Sequence, residues 1–289
     1  MASPRKSSVV TVCKPNFLFI GADRCGSKWL HNILLKHPDV FVPEIADPYF
    51  FDREYDRGMD WYFRLFEGAG ETAKAIGELS HDYIHSPEAA ERIRQHLPDV
   101  KLIATLRHPV ERAFSSYQSA RYAGVLSSTF EEALEATTPP HLKRNSQYAT
   151  NLKPFFDLVP AQNIKLMLYD QLDTDPEGFA REIFEFLEIP FIPGLPYEVV
   201  FNPLSKPRAG IGGTVSKNSA NLLRSLGLVK VLGWAKRREF IRRIFYKKTA
   251  ADEKPTVNPE TRRRLIKEFE PEIQGVEKLI GRELPAWRL

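Results

Sequence analysis

The stretch that most limits this chain is Phe17-Leu-Phe-Ile-Gly-Ala-Asp-Arg-Cys-Gly-Ser-Lys-Trp-Leu30. The apolar run Phe17 to Ile20 predicts a short buried strand, which Gly21 ends. Gly26, Ser27 and Lys28 then open a helix with Trp29, Leu30, Ile33 and Leu34 at the spacing of one face. A strand, a glycine-bounded loop and a helix start together form a phosphate cradle. Free backbone N–H groups and the positive end of the helix face whatever sits in the loop. Arg24 and Lys28 add two cations. The plainer alternative is an ordinary βα turn whose cations are solvated, so a second nucleotide signal is needed.

The nearest standard motif is the Walker A loop, G-x-x-x-x-G-K-[ST]. Gly21 and Gly26 are correctly spaced, but Ser27-Lys28 reverses the last pair. With lysine where the magnesium-binding hydroxyl belongs, the loop suits a phosphate-like group held without metal.

At 289 residues the chain can hold one large α/β domain or a domain with a helical extension. A net charge of +4 is too mild to imply nucleic acid. The two cysteines, Cys13 and Cys25, build no disulfide framework and show no zinc spacing. Val9 to Val12 is too short for a signal peptide or membrane anchor, so a cytoplasmic setting is expected.

Val40 to Val42 predicts a short strand, followed by the proline-punctuated, acidic and aromatic loop Pro43–Asp52. Gly58–Phe66 reads as helical, Ala75–Leu79 as a strand, and Ser86-Pro87-Glu88 as a helix start. Lys101–Leu106 predicts a strand running into Arg107-His-Pro-Val-Glu-Arg-Ala-Phe-Ser-Ser-Tyr117, where Pro109 starts a helix carrying Ser115. Helices near 130–136 and 147–159, a strand over 163–169 and a helix over 175–187 follow. Strands alternating with helices imply a mainly parallel sheet covered on both faces. Ligands bind such sheets at the carboxyl ends of strands, where Arg24 and Arg107 both fall. Beyond Pro190, a Gly/Pro-rich segment leads to helical stretches at roughly 221–248 and 259–281. The first is strongly basic; it reads as a solvated face over a packed one, or as a peripheral membrane contact.

The second signal is Arg107 with Ser115: a strand-end arginine and a helix serine can clamp another phosphate. Gly21–Leu30 and Leu106–Tyr117 together resemble the two nucleotide signatures of sulfotransferases that use 3′-phosphoadenosine 5′-phosphosulfate (PAPS). The heparan-sulfate-type and related bacterial branch is the most similar. The loop Asp47-Pro-Tyr-Phe-Phe-Asp52, then Tyr55, Gly58, Trp61-Tyr62, Gly77-Glu78, Tyr83, Ser86-Pro87, Phe201-Asn202 and the stretch from Pro259 to Trp287 also fit.

The resemblance implies a P-loop-like α/β fold, a central parallel sheet flanked by helices with a C-terminal helical extension. It implies one sulfotransferase domain over 1–289: a flexible N-terminus 1–15, a nucleotide-binding core 16–190, and a C-terminal part 191–289 completing the site. The reaction would move a sulfuryl group from PAPS to a hydroxyl or amine of a glycan, glycolipid or small natural product, with no metal. Adenosine 3′,5′-bisphosphate would be the product. Arg24 would neutralise charge on the leaving oxygen, and Cys25, Gly26, Ser27, Lys28 and Trp29 lie in the loop around the 5′-phosphosulfate. Arg107 and Ser115 would hold the 3′-phosphate, and Lys206 and Arg208 could close over the nucleotide. The branch places its glutamate base where this chain has Asp47, one methylene shorter; Glu44 and His81 are the substitutes. Tyr49, Phe50 and Phe51 line the acceptor or belong to the core. Arg112 reads as a salt-bridging surface group, and Cys25 as a small residue the loop tolerates, unless the cationic loop depresses its pKa. The competing readings are a P-loop kinase and a non-catalytic nucleotide-binding relative.

Overall fold

The computed structural model describes residues 13–70, 72–136, 140–199, 205–207, 246–248 and 256–289. Five parallel strands form the central sheet in the order β2-β3-β1-β4-β5. They are β1 (Phe17–Gly21), β2 (Val40–Phe41), β3 (Ala75–Leu79), β4 (Lys101–Leu106) and β5 (Ile164–Leu168). Parallel strands need crossovers, and helices supply them: α1 (Ser27–Leu34), α2 (Met59–Arg64), α3 (Pro87–His96), α4 (Pro109–Tyr122), α5 (Phe130–Glu135) and α6 (Tyr148–Leu158). After β5 come α7 (Tyr169–Thr174), α8 (Pro176–Phe186) and, at the C-terminus, α9 (Pro259–Ile280).

Strand period two explains why the run Phe17–Ile20 is wholly apolar. Phe17 and Phe19 pack with Trp29, Leu30, Ile33 and Leu34 of α1 and Phe179 and Ile183 of α8. Leu18 and Ile20 enter the opposite cluster with Ile93 of α3, Val110 of α4, Phe155 of α6 and Leu265 of α9. Both faces of β1 are therefore dry, and its carboxyl end is held rigidly between β3 and β4.

Local chemistry sets the helix starts. Ser86 accepts from the Ala89 N–H at 3.1 Å before Pro87 opens α3. His108 Nδ1 accepts from the Val110 N–H at 3.2 Å before Pro109 opens α4. The C-terminal helix joins the same core, and Trp287 beyond it is buried, its indole N–H donating to Asp170 at 3.0 Å.

Two expectations change. The strand predicted through Tyr169 ends at Leu168, and Tyr169 opens α7 instead. This short helix carries Leu172 into the core, and Pro176 separates it from α8. The basic stretch 221–248 lies outside the described residues except for its end, Tyr246–Lys248, which pairs antiparallel with Ser205–Pro207 instead of continuing a helix. A ladder supplies backbone partners there, and the edge position tolerates Pro207. Among the described residues no helix is long and apolar enough to cross a membrane.

Glu78, on β3, is a buried acid whose Oε2 accepts from Ser80 at 2.9 Å, while Oε1 has no hydrogen-bond partner among the described residues. Burial pushes its pKa up to about 8, against the lowering effect of hydrogen bonds from Tyr83 and Ser80. The native state thus holds a proton that the unfolded chain releases near pH 4.5. The sign follows: this contribution to stability declines as pH rises from about 4.5 through 8. Glu78→Gln should flatten that slope and be more stable at pH 8 by about 2–4 kcal/mol. Thermal unfolding of both proteins from pH 5 to 8 is the check. Parallel slopes would show that Glu78 is not a buried neutral acid.

Candidate active site

At the carboxyl end of β1 the chain turns through two positions that demand glycine. Gly21 has φ 148°, and a Cβ there would lie 2.5 Å from Ile84 Cγ2. Gly26 has φ 94°, and a Cβ would lie 2.7 Å from Leu172 Cδ2. Between them the Ala22 N–H donates to the Thr105 carbonyl at 3.0 Å, tying the loop to β4. Gly26 caps α1 without a side chain, so the first N–H groups of the helix face the loop.

Asp23 lies inside this cationic loop, and its partners fix the loop's course. Arg112, fully buried on α4, donates from Nη1 to Asp23 Oδ1 at 2.7 Å. Ser116, one turn further along α4, donates to Asp23 Oδ2 at 3.2 Å. The remaining Arg112 donors reach Ser146 Oγ at 2.7 Å and the Leu142 carbonyl. Burial disfavours the Asp23 carboxylate, but the charges of Arg112 and His85 more than offset this and hold its pKa well below the usual carboxylate range. Arg112 therefore forms a salt bridge as expected, but in the core, because its carboxylate partner among the described residues lies inside the loop.

Arg24 adopts a left-handed φ of 65°, and its Nε donates to Ser115 Oγ at 3.1 Å. The two sequence signatures thus meet in one place. Burial lowers the Arg24 pKa, Asp23 opposes that, and the charge of Arg107 lowers it further, so the two guanidiniums repel each other. Arg107 lies over the Tyr169 ring, 4.8 Å from its centroid. Two mutually repelling arginines beside the N-terminal end of α1 form a site whose charge an anion would complete.

Beside this cradle runs the loop with the acidic candidates. Asp47 and Tyr49 have φ of 59° and 52°, left-handed values uncommon for residues with a Cβ. Backbone anchors hold them: Asp47 N–H on the Leu79 carbonyl at 3.0 Å, Tyr49 N–H on Ser80 Oγ at 2.9 Å. Phe50 and Phe51 are fully buried and pack on Tyr62 at 4.5 and 5.0 Å between centroids, which makes them core residues and the loop's anchor.

Asp47 Oδ1 lies 2.6 Å from His81 Nδ1, and the Tyr49 hydroxyl lies 3.0 Å from His81 Nε2. Burial pushes the His81 pKa down, yet the Asp47 hydrogen bond and the charges of Asp47, Asp82 and Asp23 outweigh it, leaving a raised value. A cleft of about 450 Å³ opens here, with His81, Asp23, Asp52 and Asp82 in its walls. Neither Asp47 nor Glu44 lines it, and Glu44 is exposed.

The other loop residues are placed as follows. Ser27 is half-buried and Lys28 exposed at the start of α1. Trp29 is buried, its indole N–H spent on the Tyr197 carbonyl at 2.8 Å, so only its backbone is available to a ligand. Cys25 is fully buried, and burial with the Asp23 charge pushes its thiol up to about 12, opposite to the depressed value a cationic loop suggests. The backbone of Lys206 lies in the short ladder, and Arg208 lies outside the described residues. Sequence reasoning did not assign Asp23, Ser116 or His85. A signal existed for the first two: a carboxylate in an anion loop needs a buried cation, and Arg112 and Ser116 are four residues apart on one helix.

Residues 14–205 match the family described as Sulfotransferase domain. Heparan sulfate glucosamine 3-O-sulfotransferase 6 of Mus musculus is 32% identical over 184 residues, covering 60% of this chain and 52% of that protein. The membrane-associated sulfotransferase kil1 of Dictyostelium discoideum is 38% identical over 108 residues, 37% of this chain and 23% of its own length. The chain thus spans between 23% and 52% of the length of these curated relatives. A solved sulfotransferase from Alicyclobacillus acidocaldarius shares the fold, with a TM-score of 0.68 at 24% identity over 96% of this chain and 100% of that one. Since the family match runs over more than half of the chain and takes in both arginine signatures, this protein belongs to the sulfotransferase-domain family.

Proposed function

We propose that the protein transfers a sulfuryl group from PAPS to a hydroxyl of a glycan or small-molecule acceptor. The observation that carries this reading is the Arg24–Ser115 contact, which joins the β1 loop and α4 beside Arg107. An adenosine nucleotide with a 5′-phosphosulfate and a 3′-phosphate offers two anionic groups to these two cations. The fit is favourable because burial and the charge of Arg107 both disfavour the Arg24 cation, and a neighbouring anion relieves that. The first group would lie on the Gly21–Lys28 loop and the second against Arg107 and Ser115.

In-line transfer forms a bond between the acceptor oxygen and sulfur while the bond from sulfur to the bridging phosphate oxygen breaks. Arg24 stabilises the charge left on that bridging oxygen. The acceptor proton goes to His81, which lines the cleft, while Asp47 orients the imidazole through Nδ1. Adenosine 3′,5′-bisphosphate and a sulfate ester leave. Relatives named for heparan sulfate support a sugar hydroxyl as the acceptor.

Calorimetric titration with adenosine 3′,5′-bisphosphate, AMP and ATP–Mg²⁺ tests the donor side. The bisphosphate should bind most tightly; preference for ATP–Mg²⁺ would transfer the case to a kinase. Arg107→Ala should weaken the bisphosphate about 10–100-fold and AMP much less. Equal losses would mean that Arg107 does not read the 3′-phosphate. Arg24→Ala should lower kcat by about 10²–10³-fold with a smaller effect on bisphosphate affinity.

The base assignment makes a pH prediction. His81 accepts a proton only when neutral, so kcat/KM should rise through its raised pKa to a plateau at alkaline pH. Asp47→Asn removes the charge that raises it, so the acid limb should move to lower pH while the plateau falls about 10–100-fold. A limb that stays in place would exclude His81 as the titrating base.

A further inference from the structure

We propose that Glu78 is a positioning residue: its buried carboxyl holds the acidic loop so that Asp47 and Tyr49 meet the His81 imidazole. This inference rests on the sulfuryl-transfer reading, in which His81 takes the acceptor proton. A carboxyl group buried within a sheet strand is costly, and an apolar side chain would fill the same space on β3 without that cost. The bonds that Glu78 makes give it a use.

Two hydroxyls connect Glu78 to the loop. Ser80 Oγ donates to Glu78 Oε2 at 2.9 Å and accepts the Tyr49 N–H, also at 2.9 Å. The Tyr83 hydroxyl is the other hydrogen-bond partner of the carboxyl, and it accepts the Phe51 N–H at 3.2 Å. A hydroxyl rotates to suit its surroundings, so its lone pairs are fixed on an N–H only when its hydrogen is committed elsewhere. Glu78 takes both hydrogens, and Ser80 and Tyr83 therefore present lone pairs to the two ends of Tyr49-Phe50-Phe51. The loop needs such anchors, because Asp47 and Tyr49 are held at left-handed φ of 59° and 52°. Its other side places Asp47 Oδ1 2.6 Å from His81 Nδ1 and the Tyr49 hydroxyl 3.0 Å from Nε2. The imidazole is thus gripped at both nitrogens by a loop that rests on Glu78. Glu78 serves here as an acceptor and not as a charge. Burial, aided by the charges of Asp47 and Asp52, pushes its pKa up to about 8, and Tyr62 and Tyr83 are the titratable groups beside it.

Glu78→Met and Glu78→Gln form a matched test. Both replacements are uncharged and close to glutamate in length, but only the amide oxygen of glutamine accepts from Ser80 and Tyr83. Histidine NMR titration, with the His81 signal assigned through His81→Gln, reads the imidazole contacts without an acceptor substrate. In Glu78→Met, His81 should titrate at a pH lower by about 1 as Asp47 loses its contact, with affinity for adenosine 3′,5′-bisphosphate unchanged. Glu78→Gln should titrate close to the unsubstituted protein. Ser80→Ala breaks the relay with Glu78 in place; it should shift His81 in the same direction, and it decides the matter if Glu78→Met does not fold. An unmoved His81 in either Glu78→Met or Ser80→Ala overturns the inference. So does an equal shift in Glu78→Met and Glu78→Gln. The two proposals fail separately: absence of bisphosphate binding to the unsubstituted protein removes the donor reading, whereas the titration alone decides the role of Glu78.

Discussion

The buried pair Asp23–Arg112 is the interaction on which the site depends. Removing a guanidinium from water is costly, and a buried ion pair is tolerated only where its remaining donors are also met. Arg112 meets that condition through Ser146, Leu142 and Asp23. The partners come from the β1 loop, α4 and the turn before α6, so three segments far apart in sequence are held by one side chain. Losing either partner would leave an uncompensated charge in the core, which typically costs about 3–5 kcal/mol. The pair adds little net stability compared with an apolar core, but it fixes where the loop runs.

With the loop fixed, its other residues can be held in less favourable states. Arg24 sits at a left-handed φ, close enough to Arg107 for their charges to oppose each other. Asp47 and Tyr49 sit at left-handed φ across the cleft, anchored by Leu79, Ser80 and the buried rings of Phe50 and Phe51. Each such conformation costs about 1–2 kcal/mol and persists only where the surroundings over-determine it. The sheet supplies that rigidity, since both faces of β1 are packed. The unfavourable terms are concentrated at the carboxyl ends of β1, β3 and β4, where an α/β sheet binds its ligands.

Much of this was legible in the sequence for simple reasons. Ala75–Leu79 and Lys101–Leu106 are short apolar strands bounded by turn residues, and both have the predicted limits. Ser86-Pro87 and Pro109 mark helix starts by local chemistry alone. What the sequence hid depends on contacts between distant residues. Arg112 looks like a surface arginine until Asp23 is brought beneath it. Cys25 looks activated by neighbouring cations until burial removes the water that would stabilise a thiolate. Tyr169 looks like the end of an apolar strand, but its ring lies beside the Arg107 guanidinium and it opens a helix. In each case a local property was read correctly and then overruled by a long-range partner.

The acidic loop shows how a shorter side chain can be accommodated. A base must reach the acceptor hydroxyl, and an aspartate at position 47 reaches one methylene less far than the glutamate of the similar branch. Here Asp47 does not line the cleft, but it touches an imidazole that does. In the proposed mechanism His81 supplies the missing reach, and the carboxylate holds its orientation and tautomer. The division of labour follows from proton affinity. A carboxylate that accepts a proton directly has its basicity set by burial and neighbouring charges, whereas an imidazole starts from a higher proton affinity, which an adjacent carboxylate raises further. Arg112 neutralises Asp23 and Arg53 pairs with Asp82, so the raising effect on His81 comes chiefly from Asp47.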